Sequence, residues 1–174
     1  VILLPEGISF EVGTFVEPLG CVVRGLRRIG LQPSDSVLIV GSGLAGLLNI
    51  RLARILGAGC IAATDVQPFR LQAALNSGAE AAVDARAQNV VERLLAVNDG
   101  NKFDHVIVCT AASDAFPQAF GAVGPGGIVL LYAFSMPGSS TPLDLHEYFR
   151  KSITLRSTYG ASPTDLQQAV KLLR

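Results

Sequence analysis

Three features of the sequence predict a doubly wound α/β fold, a parallel sheet with helices on both faces. Strand-like and helix-like runs alternate along nearly the whole chain. Most of the strand runs are apolar at every position instead of every second one, as expected of strands buried on two sides. The joints are short, and short joints between alternating strands and helices imply parallel pairing through right-handed crossovers.

After a brief extended start, residues 11–29 carry Phe15, Leu19, Val22, Val23, Leu26 and Ile29 at three- and four-residue steps. That spacing predicts one helix, with Gly30 placed to end it. "LQPSDS" then makes a turn, in which Pro33 fixes a backbone angle and Ser34 and Asp35 can bond their own backbone. Strands are expected at 37–40 (VLIV), 60–64 (CIAAT), 81–83 (AAV), 103–109 (FDHVIVC), 128–132 (IVLLY) and 153–158 (ITLRST). Helices are expected at 44–56, stopped by Gly57; 68–76, opened by Pro68; 90–97; 114–121; and 163–174. The last has Ser162 as N-cap, Pro163 in the first helical position and Asp165 completing a capping-box pattern. The stretch 135–142 reads as a flexible loop.

At 174 residues with 49% apolar content, the chain can bury the core of one domain. Fourteen basic residues balance fourteen acidic ones. The one local basic cluster, Arg24, Arg27 and Arg28, fits a single helix face, which argues against a nucleic-acid partner. Cys21, Cys60 and Cys109 lie far apart, so neither a disulfide framework nor a local metal clip can be built from them. No apolar stretch approaches the roughly 18 residues needed to span a bilayer. A soluble protein in a reducing, cytoplasmic setting is expected. Val1 in place of Met, and Arg174 inside a helical pattern, suggest a piece cut from a longer chain.

"VLIVGSGLAG" (37–46) contains the spacing G-x-G-x-x-G. In a glycine-rich chain this pattern is weak alone, but here it follows an expected strand and opens an expected helix. The next strand ends at Asp65, about 20 residues on. Together these form a dinucleotide fingerprint of the Rossmann type. Gly41 makes the sharp exit from the strand, Gly43 keeps side chains off a pyrophosphate, and Gly46 lets the helix lie close to the sheet. With Ser42 completing the loop, the N–H groups of Leu44, Ala45 and Gly46 would face an anion at the helix N-terminus. Asp65 can accept both ribose hydroxyls and would repel a 2′-phosphate, favouring NAD over NADP; the competing reading makes it a helix cap. Arg70 either covers the adenine or ribose edge or is a solvated helix residue. Ligands of such sheets bind beyond the carboxyl ends of the strands. By that rule Cys109, Thr110 and Ala111, with Ala133, Phe134 and Ser135, line the nicotinamide half, or else are ordinary core and turn residues.

Catalytic groups are scarce. His105 lies inside an apolar strand and reads as a satisfied core residue, while His146 sits in a polar segment near Asp144 and Glu147 that makes a poor metal cluster. Tyr148 and Lys151 are three apart instead of the four that a one-turn acid–base pair needs, and no G-x-S-x-G elbow is present.

"LPEGISFEVGTFVEPLGCVVRGLRRIGLQPSDSVLIVGSGLAGLLNIRLARILGA" resembles the start of the coenzyme domain of the zinc-type medium-chain dehydrogenases, the alcohol, sorbitol and threonine dehydrogenase group. "ITLRSTYGASPTDLQQAVKLL" is similar to that family's last crossing before its chain returns to the catalytic domain. The resemblance implies an NAD-binding domain over 31–174, truncated at its C-terminal end, with 1–30 a lead-in segment and helix joining a catalytic domain outside this chain. It implies a secondary alcohol as substrate (a polyol, sugar or hydroxy-amino acid), with zinc in the full-length enzyme. Glu17, in "VEPLG", matches the position facing that zinc, and Ala45, Asp65, Arg70, Tyr132, Ala133, Phe134, Ser157 and Thr158 match coenzyme contacts. The family's other zinc ligands would lie ahead of Val1. It also implies a homodimer or homotetramer formed through the sheet edge near 153–158. Two other readings remain open. One is an S-adenosylmethionine-dependent methyltransferase, disfavoured by Gly46 and by the lack of a reversed terminal hairpin. The other is a non-catalytic nucleotide-sensing module, against which the cut ends count.

Overall fold

The computed structural model of the chain describes residues 2–133 and 137–174. Six strands, β1 (Ser36–Val40), β2 (Cys60–Asp65), β3 (Ala81–Asp84), β4 (Phe103–Val108), β5 (Val123–Leu131) and β6 (Thr154–Ser157), form one sheet in the order β3-β2-β1-β4-β5-β6. Every neighbouring pair is parallel. The order reverses between β1 and β4, so the connections leaving these two strands pass to opposite faces and open a crevice at their carboxyl ends. Among the described residues the sheet is all-parallel and carries no reversed terminal hairpin, which counts against the methyltransferase reading.

Helices cover both faces. One face carries α2 (Val16–Ile29), α3 (Leu44–Ile55), α4 (Pro68–Asn76) and α8 (Pro163–Leu172); the other carries α5 (Val90–Val97) and α6 (Ala115–Ala122). The strands therefore divide their side chains between two cores. Val37 and Ile39 join Leu26, Ile50 and Ile107 on the first face, while Leu38 and Val40 join Leu94, Phe103 and Val106 on the second. Burying each such side chain contributes about 1.5–3 kcal/mol. This is why the strand runs are apolar throughout.

Three elements depart from the sequence expectation. The helix expected over 11–29 breaks in two, α1 (Phe10–Gly13) and α2, where Pro18 has no N–H to donate to the Thr14 carbonyl; the Thr14 hydroxyl donates back to the Glu11 carbonyl at the end of the first piece. β5 begins five residues earlier than expected, running through Gly124-Pro125-Gly126-Gly127 with a register shift against Phe103–His105. Gly126 carries the irregularity at φ +73°, and a Cβ on Gly127 would lie 2.6 Å from Val123. A short helix, α7 (Leu145–Arg150), was not expected; Asp144 caps it by accepting from the Glu147 amide at 3.0 Å, and Phe116, Phe120 and Tyr148 stack between it and α6.

The expected capping box at Ser162 is present, and it does more than begin a helix. The Asp165 carboxylate accepts from the Ser162 amide at 2.9 Å and hydroxyl at 2.6 Å, and it meets Arg27 at 2.8 Å and Arg24 at 3.6 Å, fastening α8 to α2. Burial alone would raise this carboxyl, but the Ser162 bonds and the two guanidiniums outweigh it and hold it below its ordinary 3.8. Asp165→Ala is expected to lower the unfolding free energy by about 2 kcal/mol, read from the urea midpoint. With a depressed folded-state pKa, the carboxylate's stabilisation is complete above 3.8 and is lost as the pH falls below that value. The variant should accordingly show a flatter stability curve in the acid range.

Candidate functional site

The crevice is built by backbone close approach. Gly41, the residue after β1, takes φ +97°, and a Cβ there would sit 3.0 Å from the Thr110 side chain beyond β4. A Cβ on Gly46 would come within 2.0 Å of the Gly41 carbonyl oxygen, so only glycine lets α3 start this close to the strand exit. Gly43 differs, because a Cβ there would point into open space. It occupies the N-cap of α3 without a capping side chain, and the first bond from this turn is donated by Leu47 to the Gly43 carbonyl at 2.9 Å. Among the described residues the amides of Leu44, Ala45 and Gly46 have no acceptor. Three bare N–H groups at the positive end of a helix dipole, beside vacant space, suit an anion.

Asp65, the last residue of β2, is almost fully buried. One carboxylate oxygen accepts from the Ser42 amide and the other from the Gln67 amide, each at 2.9 Å, so each oxygen keeps a lone pair. Ser42 turns inward, its hydroxyl on the Thr64 carbonyl at 3.2 Å. The Arg70 guanidinium stands 3.7 Å from Asp65 and 5.6 Å over the Phe69 ring, which places it at the rim above the carboxylate.

Two cavities meet in the crevice. The larger, about 790 Å³, is lined by Thr110, Ala111, Tyr132, Ala133, Ser157 and Thr158 among others. The smaller, about 180 Å³, is lined by Gly41, Asp65 and Arg70 together with Arg86, Asp114 and Gln118. Thr110 and Ala112 border both. Phe134 and Ser135, expected at the nicotinamide half, lie outside the described residues. Cys109 lines neither cavity. It follows Ile107 in strand parity, packs against the first core and receives the Asn49 side-chain amide at 3.7 Å. Arg86, Asp114 and Gln118 were missed in the sequence. Arg86 could have been found by applying the strand-end rule to "VDAR" after β3, whereas the other two depend on how α6 is laid over the sheet.

Glu17 lies in the first turn of α2, exposed, and accepts from the Cys21 thiol at 3.2 Å. Burial first, and then Glu17, push that thiol up to about 11. Burial pushes Cys109 up to about 12 against the opposing Asn49 bond, and it also raises the Tyr132 hydroxyl. Among the described residues no three His, Cys, Asp or Glu side chains converge as a metal site. Glu17 and Cys21 offer at most two of the three or four donors that zinc requires, so these residues do not hold zinc by themselves. His105 is a core residue as expected but only half satisfied: Nε2 lies 2.9 Å from Asp35 at the amino ends of the strands, far from the crevice, while the buried Nδ1 has no partner among the described residues. Lys151 is paired with Glu147 at 2.6 Å.

Sheet order, glycine turn and strand-end acid define a doubly wound domain of the dinucleotide-binding type. The family model described as zinc-binding dehydrogenase matches residues 45–174, and the chain belongs to that family. It is 31% identical over 127 residues to sorbitol dehydrogenase of Bacillus subtilis strain 168, covering 73% of this chain and 36% of that protein. It is 30% identical over 174 residues to a protein assigned as D-xylulose reductase A in Aspergillus terreus, covering 98% of this chain and 49% of that one. A solved structure from Sinorhizobium meliloti 1021, classed with the zinc-binding dehydrogenases and bound to NADP, superposes with a TM-score of 0.92 at 26% identity, over 98% of this chain and 50% of that one. The chain thus spans half or less of the length of these relatives.

Gly46→Ala is expected to cost about 2 kcal/mol or more in urea unfolding, since neither the helix nor the strand exit can yield. Gly43→Ala should leave that midpoint nearly unchanged. Iodoacetamide at about pH 8 should leave Cys21 and Cys109 unmodified in the folded chain, because both thiols stay protonated, and should alkylate them once urea is added; peptide mass spectrometry reads the result.

Proposed function

We propose that this chain is the coenzyme-binding part of a zinc-dependent, NAD-linked dehydrogenase that oxidises a secondary alcohol, with a polyol as the favoured substrate class. The observation that carries the proposal is the row of bare α3 amides beside Asp65, whose oxygens each keep a lone pair. The amides would take the pyrophosphate, Asp65 the adenosine ribose hydroxyls, and Arg70 the rim above them. The larger cavity would hold the nicotinamide against Thr110, Ala111, Tyr132, Ala133, Ser157 and Thr158, with Phe134 assigned there on the resemblance alone. Bound NAD supplies the carbon that accepts hydride. The chain's own residues bind and orient it, and they exclude water from the apolar walls.

The polyol reading is supported by relatives named for sorbitol and D-xylulose. The Sinorhizobium meliloti protein carries NADP. In this chain a 2′-phosphate would meet the buried Asp65 carboxylate, which favours NAD. Residues 1–30 would serve as the lead-in from a catalytic domain and 31–174 as the coenzyme domain, with Glu17 contributing at most one donor to a zinc completed elsewhere. Among the described residues β6 is hydrogen-bonded on one side only, and Phe149 and Tyr159 beside it are exposed, so a second copy would add at this edge. No helix among the described residues is long and apolar enough to cross a membrane. Three unpaired cysteines fit a reducing compartment such as the cytoplasm.

Titration calorimetry tests the assignment. The chain should bind NADH more tightly than NADPH, and Asp65→Asn should weaken NADH about tenfold while narrowing the gap between the two. Failure to bind either nucleotide would remove the proposal, and tighter NADPH binding would remove the role of Asp65.

A further inference from the structure

The smaller cavity is lined by Arg86, one member of a charged pair that the assigned site leaves unused; the other member, Asp84, stands behind it at the end of β3. Asp84 ends β3 in register with Asp65 at the end of β2, so two carboxylates stand side by side on adjacent strand ends. Arg86, two residues on, grips Asp84 as a fork, with Nε to Oδ1 at 3.0 Å and Nη2 to Oδ2 at 2.8 Å. Its own amide donates to Oδ1 at 2.9 Å. The turn beneath is fixed to the site. The Ala85 amide donates to the Asp65 carbonyl at 3.0 Å, the Ala87 amide donates to the Asp84 carbonyl at 2.9 Å, and the Gln118 side-chain amide donates to the Ala85 carbonyl at 3.1 Å. Arg86 therefore lines the same small cavity as Asp65 and Arg70 by construction of the backbone.

A planar fork that matches a carboxylate bidentately matches a phosphate equally well. Asp65, Asp84, Arg70 and Arg86 sum to no net charge, with Asp114 adding one negative charge at the wall. We propose that Arg86 is a masked receptor for the 2′-phosphate of NADP and that Asp84 is its mask, making the Asp84–Arg86 pair a second determinant of coenzyme choice beside Asp65. The inference rests on the dinucleotide reading of the crevice. While Asp84 occupies the fork, a 2′-phosphate must displace a carboxylate to reach Arg86 and then share the pocket with two carboxylates. With Asp84 neutralised, the guanidinium is released one strand away from the ribose-binding acid. Arg86 holds the Asp84 carboxyl down to about 2, so the mask is ionised at every working pH. The pair is largely exposed, which makes its effect modest and sensitive to salt.

The test is the ratio of NADPH to NADH dissociation constants, measured by calorimetry at low salt on the chain and on Asp84→Asn, Arg86→Ala and the double variant, with urea midpoints confirming folding. Asp84→Asn should shift the ratio toward NADPH by about tenfold, with NADH affinity nearly constant. In the Arg86→Ala background the same substitution should leave the ratio within about twofold, since no receptor remains to unmask. Asp84→Ser gives the same readout if the Asn variant fails to fold. An unchanged ratio in Asp84→Asn overturns the inference. So does an equal shift in both backgrounds, which would reduce Asp84 to simple repulsion. If the unaltered chain binds neither nucleotide, the dinucleotide reading falls and this inference with it; if it binds NADH but the ratio does not move, only the inference falls.

Discussion

The crevice depends on one close approach, the backbone of Gly46 against the carbonyl of Gly41. No side chain fits between them, so α3 begins almost on top of the strand it leaves, and its first amides end up at the mouth of the β1–β4 divergence. Asp65 strengthens the arrangement from the side by accepting from the Ser42 amide, so the acid at the end of β2 also holds the glycine turn that presents the bare amides. Position and chemistry are thereby coupled. A change at Asp65 alters the shape of the glycine turn as well as the charge beside it.

Much of this was legible in the sequence because it is written in local patterns. Glycine spacing, strands apolar at every position and the Ser162–Asp165 capping box each rest on contacts within a few residues or on the two-sided burial of a parallel sheet. What was not legible depends on tertiary placement. The break between α1 and α2 comes from Pro18, whose missing N–H the apolar spacing does not register, and β5 begins at a Gly-Pro-Gly-Gly stretch that propensity alone reads as a turn. α7 is held by a cap and by aromatic stacking on α6, which no sequence period reveals. Cys109 is adjacent to Thr110 and Ala111 in the chain, but strand parity sends its side chain into the first core. Arg86 follows β3 whereas Asp114 and Gln118 belong to the start of α6, and only the register of β3 on β2 and the lie of α6 bring them together.

The two ends of the sheet carry different burdens. At the amino ends, Asp104 accepts from the Ser36 amide and hydroxyl, and His105 Nε2 meets Asp35, so most polar groups there are spent on one another, His105 Nδ1 excepted. At the carboxyl ends, amide donors and carboxylate lone pairs are left over. Unspent hydrogen-bonding capacity in a concave, partly desolvated place is what a ligand can use, and here it is concentrated around one helix start and one strand end.

Gly25 gives α2 a mechanical role as well. It lets α2 lie so close to the sheet that a Cβ there would touch Leu130 at 3.3 Å and the Tyr132 ring at 3.5 Å, while Asp165 binds the same helix to α8. The helix that begins at Val16 is thereby seated directly on the strand end whose Tyr132 forms part of the wall of the larger cavity, and the Asp165 ion pairs fasten it there.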